Sequence, residues 1–202
     1  MITNVVFDFG QVLVRFDPVY MCERYVSDRD DISLLSEVVF DRLYWDRLDA
    51  GTITNEELIS SVKARIPERL HSAAEKIYFN WIYNLPEIEG MRRAIAICRE
   101  RGFGVYLLSN ISLDFAEKYR EIPILEGFDG YVFSAAAGCV KPSAEIFAHL
   151  CNKFDLTPSQ TLFVDDSIKN INGADKFGIA AYHFKGDADE LCSYLSALPT
   201  VK

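Results

Sequence analysis

Apolar positions along the chain follow two rhythms. Residues 2–7, Ile-Thr-Asn-Val-Val-Phe, form a β-branched run that reads as a strand buried on both faces, and the run stops at Asp8, ahead of Phe9, Gly10 and Gln11. Val12, Leu13 and Val14 stay apolar before Arg15-Phe16-Asp17-Pro18 breaks the pattern. Asp17 suits a helix N-cap and Pro18 the first helical position, so a helix is expected to start there. From Pro18 onward the spacing is helical and predicts helices over 18–26, 31–40, 41–48, 55–65 and 68–83. The fourth opens on Thr54-Asn55-Glu56-Glu57, the pattern of a capping box.

Past Asn84-Leu85-Pro86 the rhythm changes to short continuous apolar runs alternating with amphipathic stretches. Strands are expected at 105–108, 131–133, 161–164 and 179–182, with helices at 87–101, 112–120, 143–154 and 168–177. This alternation predicts an α/β protein: a Rossmann-like parallel sheet with helices on both faces, built from residues 1–15 and 87–202, with residues 16–86 inserted as an all-helical cap. Linkers near 15–17 and 84–89 would let cap and core close on each other. Sheets of this kind place their chemistry beyond the carboxyl ends of the strands. The first polar residues at those ends are Asp8, Ser109, Ser134 and Asp165.

Composition narrows the function classes. A chain of 202 residues, half of them apolar, can bury a sizeable core. Its net charge of -9 argues against a nucleic-acid binder, since no basic concentration exists to neutralise phosphates. No apolar run approaches a membrane span, and the chain opens directly in a strand, so a soluble, cytoplasmic protein is expected. Five scattered cysteines without a Cys-x-x-Cys pair fit reduced thiols. His71, His149 and His183 lack ligand spacing and read as packing or surface residues.

The candidate chemistry is acidic. If the strands ending at Asp8 and Asp165 lie side by side, three carboxylates, Asp8, Asp165 and Asp166, converge and repel one another unless a hard cation such as Mg²⁺ sits among them. Taken singly, Asp8 could equally cap a turn, and Asp165 or Asp166 could cap the helix that follows. Lys141 precedes Pro142 and Ser143 at an expected helix start, where amide groups already favour anions. Ser109 and Asn110 offer uncharged donors suited to a phosphoryl oxygen. In the insertion, Phe40, Asp41, Tyr44, Trp45 and Asp46 could meet a sugar ring, with Trp45 the candidate substrate contact. At helical spacing, the same aromatics also suit the cap's own core.

The series Asp8-Phe9-Gly10, Leu108-Ser109-Asn110, Lys141-Pro142 and Val164-Asp165-Asp166-Ser167 with Asn170 closely resembles the four motifs of the haloacid dehalogenase superfamily, and the helical insertion after the first motif resembles its type-1 cap. The resemblance covers about two thirds of the chain. It implies a nucleophilic Asp8 forming an aspartyl-phosphate, and Mg²⁺ held by Asp8, the Gly10 carbonyl, Asp166 and Asp165, the last directly or through water. Ser109 and Asn110 would hold phosphoryl oxygens, and Lys141 would pair with Asp8 and the phosphate of a small phosphorylated metabolite. Most phosphatases of the superfamily carry a second Asp two residues after the nucleophile as general acid and base, whereas this chain has Gly10. That glycine is familiar from a subset similar to bacterial glucose-1-phosphate phosphatases. Losing a general acid costs on the order of 10²–10⁴ in rate, so leaving groups that need little protonation, such as a sugar 1-phosphate or an acyl phosphate, are expected. A haloacid dehalogenase also lacks the second acid but has no use for the Asp165-Asp166 pair. A third possibility is a non-catalytic phosphometabolite-binding module.

Overall fold

The computed structural model describes residues 1–201. Five parallel strands, β1 (Asn4–Phe7), β2 (Gly104–Ser109), β3 (Gly130–Phe133), β4 (Thr161–Asp165) and β5 (Ala180–His183), form one sheet in the order β3-β2-β1-β4-β5. Alternate residues of β1 and β4 feed opposite faces: Val5, Phe7, Leu162 and Val164 join one apolar cluster, Val6 and Phe163 the other. Burial on both faces explains why these runs are continuously apolar.

On the first face pack α6 (Met91–Glu100), α7 (Leu113–Lys118) and α11 (Ala188–Ala197). Against the second lie α9 (Ala144–Phe154) and α10 (Ile168–Phe177). The short helix α8 (Ser134–Ala137) follows β3 directly and ends at Gly138, which takes the left-handed conformation at φ +68° that a side chain resists.

Between β1 and β2 the chain is helical: α1 (Pro18–Glu23), α2 (Arg29–Val39), α3 (Arg42–Asp49), α4 (Asn55–Lys63) and α5 (His71–Asn80). Asp17 caps α1 as expected, accepting from the Tyr20 amide, and the Thr54–Glu57 capping box is formed in both directions. The segments entering and leaving the insertion pair with each other, Arg15 N–H donating to the Pro86 carbonyl and Ile88 N–H to that of Leu13. Phe16, Phe40, Trp45, Tyr78 and Trp81 stack edge to face within it, and Trp81 lies against Phe115 of α7.

Besides α8, which reads as loop in the sequence, three elements differ from the sequence expectation. The helix expected at 87–101 begins at Met91, because Glu87 bridges to Val14 and Gly90, at φ +88°, cannot continue a right-handed turn. The single helix expected over 68–83 has 3₁₀ turns at both ends of α5. Helix α11 was not anticipated, although Asp187 caps it and its buried Ala188, Leu191, Cys192 and Leu195 have amphipathic spacing.

Candidate active site

Strands β1, β2 and β3 run outward in one direction from the centre, and β4 and β5 in the other. The order therefore reverses between β1 and β4, which leaves a crevice at the carboxyl ends of that pair. Phe7 pairs with Val164, and the Asp8 amide donates to the Val164 carbonyl at 2.9 Å. Asp8 and Asp165 thus leave neighbouring strands at the same level, and Asp166 follows. Carboxylate oxygens of the three lie within 4.8 Å of one another.

These acids are held differently. Asp165 is fully buried, and its oxygens accept from the Ser167 amide at 2.8 Å, from Asn170 Nδ2 at 3.0 and 3.1 Å, and from Lys141 Nζ at 2.7 Å. Asp8 is 9% exposed, and Lys141 Nζ approaches its Oδ1 at 2.8 Å. Lys141 is therefore a buried ammonium bridging two carboxylates. Burial pushes the Asp8 carboxyl up to about 7, with Lys141 pulling it down and the charge of Asp165 adding to the rise. Burial works against the Lys141 charge, but Asp8 and Asp165 outweigh it and the ammonium is held more firmly protonated than a free lysine. Asp166 is partly exposed and also raised, by burial and then by Asp165.

Lys141 is anchored from behind. Its backbone N–H donates to Asn110 Oδ1 at 2.8 Å, and Asn110 Nδ2 donates back to the Lys141 carbonyl at 3.1 Å. The Asn110 side chain is thus spent on positioning the lysine, a role that residue type alone does not distinguish from ligand binding. Ser109, at the end of β2, is nearly buried and lines the crevice beside it. Ser134, the remaining strand-end residue, does not line it: its Oγ accepts from the Ile111 amide at 2.8 Å and donates to the Asp49 carbonyl.

The crevice is a cavity of about 590 Å³ roofed by the insertion. Gly10 faces it within the turn that closes β1, and a Cβ built there would meet nothing within 4 Å. Trp45 reaches its wall, but the ring is 95% buried in the aromatic cluster and Nε1 donates to the Val39 carbonyl at 2.7 Å, so the indole's one donor is already used. Helix α3 adds two lining residues that were not anticipated, Arg42 and Asp49. Asp49 is 9% exposed, and burial pushes its carboxyl up to about 8. The signal available was weak: acids three residues apart, Asp46 and Asp49, on one helix face.

The metal-ligating chemistry on view is three carboxylates answered by one buried ammonium. All the donors are hard oxygens, which suits Mg²⁺ better than a soft metal. No other cluster of His, Cys, Asp or Glu among the described residues could hold a metal ion. Two histidines bond main-chain carbonyls, His71 Nε2 that of Lys63 and His183 Nε2 that of Asp166, and His149 is exposed.

Three-layer topology, strand-end acids and the bridging lysine define the class of protein: residues 2–178 match the haloacid dehalogenase-like hydrolase family, and the chain belongs to it. Among its relatives is D-ribitol-5-phosphate phosphatase of Bacteroides thetaiotaomicron, 25% identical over 199 residues that span 94% of this chain and 95% of that one. The fold superposes on a haloacid dehalogenase family enzyme of the same organism, solved in complex with magnesium and inorganic phosphate (TM-score 0.67, 20% identity, 92% of this chain and 96% of that one). It also superposes on a dehalogenase solved as an intermediate complex (TM-score 0.75, 16% identity, 98% of each chain). No helix among the described residues is long and apolar enough to cross a membrane.

Proposed function

We propose that this hydrolase is a magnesium-dependent phosphatase of small phosphorylated metabolites, with sugar phosphates such as a hexose 1-phosphate favoured, acting through an aspartyl-phosphate on Asp8. The observation that carries this reading is the buried ammonium of Lys141 between Asp8 and Asp165, with Asp166 beside them. A dehalogenase has no need of an acidic pair at the end of β4. That pair, together with the phosphatase relative, favours phosphoryl chemistry, although the dehalogenase has the higher TM-score of the two superposed folds.

Asp8, the Gly10 carbonyl and Asp166 would hold Mg²⁺. Every lone pair of Asp165 is already engaged by Ser167, Asn170 and Lys141, so Asp165 would reach the ion through water. When bound, the ion neutralises charge on the phosphoryl oxygens. Lys141 keeps the Asp8 carboxylate ionised and aimed, Ser109 and the backbone N–H of Asn110 hold phosphoryl oxygens, and the Asp8 oxygen attacks phosphorus as the ester oxygen departs. Water then attacks the same phosphorus, expelling the Asp8 carboxylate and releasing phosphate.

Phosphate release from a panel of phosphorylated sugars and polyols tests this directly. The expected result is turnover that needs magnesium, stops with EDTA and is abolished in Asp8→Asn. Wild-type protein releasing no more phosphate than Asp8→Asn would overturn it.

A further inference from the structure

The proposed hydrolysis must hand a proton to the departing ester oxygen, and Gly10 has none to give. Asp49 is the carboxyl group that the insertion contributes to the wall of the same cavity as Asp8, Lys141 and Ser109. It is nine-tenths buried, and no donor among the described residues bonds its side-chain oxygens. A buried carboxyl without a partner is costly, and sites that retain one are commonly functional.

Its placement is fixed by main-chain contacts rather than by the side chain. Ser134 Oγ at the end of β3 donates to the Asp49 carbonyl. Two residues on, Gly51 takes φ +68° and packs so closely on α8 that a Cβ there would sit 3.0 Å from the Ala135 carbonyl oxygen. The last turn of α3 is thereby pinned to the carboxyl end of the sheet at β3, on the wall of the cavity that Asp8 also lines.

Resting on the phosphatase reading above, we propose that Asp49 is the proton carrier of the reaction. As the Asp8 oxygen bonds to phosphorus and the P–O ester bond breaks, the Asp49 carboxylic acid gives its proton to the leaving oxygen, yielding the free alcohol, the aspartyl-phosphate and an Asp49 carboxylate. In the second half, that carboxylate takes a proton from the attacking water as the acyl-phosphate bond to Asp8 breaks. Phosphate leaves and Asp49 is protonated again.

The surroundings suit a group that starts neutral. Burial raises the Asp49 carboxyl to about 8; Arg42 opposes the rise, Asp46 and Asp8 add to it, and Lys141 opposes it. These are the charged groups facing it from its own helix, from the end of β1 and from the loop before α9. The acid form therefore dominates at neutral pH and is depleted as pH rises through about 8.

The experiment compares two esters in wild type, Asp49→Asn and Asp49→Glu. For an alkyl phosphate such as glycerol 1-phosphate, Asp49→Asn should lose on the order of 10²–10⁴ in kcat, whereas p-nitrophenyl phosphate, whose leaving group needs no proton, should lose less than about tenfold. In wild type, kcat/KM for the alkyl ester should fall above about 8, a limb missing from Asp49→Asn, and Asp49→Glu should restore part of the rate. Calorimetry should show unchanged magnesium affinity in Asp49→Asn. Equal losses on both esters, no loss on either, or weakened magnesium binding overturns the assignment while Asp8→Asn still reports whether the phosphatase reading stands. A wild type inert on both esters overturns the two together.

Discussion

Asp8 and Asp165 end adjacent strands, yet the fold uses them in opposite ways. Asp165 has every acceptor position filled and works as a brace, whereas Asp8 meets the ammonium of Lys141 and the Phe9 backbone and keeps a face toward the cavity. Lys141 is the single cation answering both. Replacing it with Met leaves two buried carboxylates without a counter-charge, so Lys141→Met should cost about 3–5 kcal/mol in denaturant unfolding at neutral pH. Part of that cost should fade as pH falls, because protonating Asp8 removes the charge that lacks a partner. Asp166 is partly exposed and supports neither neighbour, so Asp166→Asn should shift stability by no more than about 0.5 kcal/mol while weakening magnesium binding. Equal stability losses in the two variants would show that the lysine is no more than a solvated pair partner.

At the scale of elements, what the sequence made legible follows from periodicity. The strand runs ending at Asp8, Ser109, Ser134 and Asp165 stand within a residue or two of their expected bounds, since a strand buried on both faces must be apolar throughout. Lys141 and the acidic pair were legible because they sit at strand ends and a helix start, where position in sequence dictates position in space. Helix α8 escaped notice because four residues carry no period, and Ala135 to Gly138 look like loop. Asp49 escaped because its importance comes from docking: nothing in the α3 sequence tells that Ser134, eighty-five residues later, will bind its carbonyl. That docking is testable by itself. Ser134→Ala orphans the buried Ile111 amide and frees the end of α3, and should cost about 1–3 kcal/mol in chemical denaturation. If Asp49 carries the proton, Ser134→Ala should also slow alkyl phosphates more than p-nitrophenyl phosphate; a uniform effect on both would separate the clamp from the chemistry.

Across the whole molecule, charge and architecture oppose each other at the site. The chain carries a net charge of -9, and the cavity is lined by Asp8, Asp46 and Asp166, with Asp49 held neutral, against Arg42, Lys141 and Lys169. A phosphate dianion approaching this chain meets repulsion from a distance, and the one buried ammonium at the site is already committed to two carboxylates. The apolar cluster is also continuous from the sheet into the insertion, through Phe9, Phe115 and Trp81. With Lys141 committed, a divalent cation among the three acids is the charge that most favours the anion, and it is expected to bind first. Calorimetric titration with inorganic phosphate should show no measurable heat of binding without magnesium and saturable binding with it. Raising the ionic strength should weaken the second titration less than an exposed site would allow, since contacts inside a roofed cavity are poorly screened. Phosphate binding of equal strength with and without the ion would mean that the basic side chains alone define the anion site, and that the three converging acids serve the fold rather than a metal.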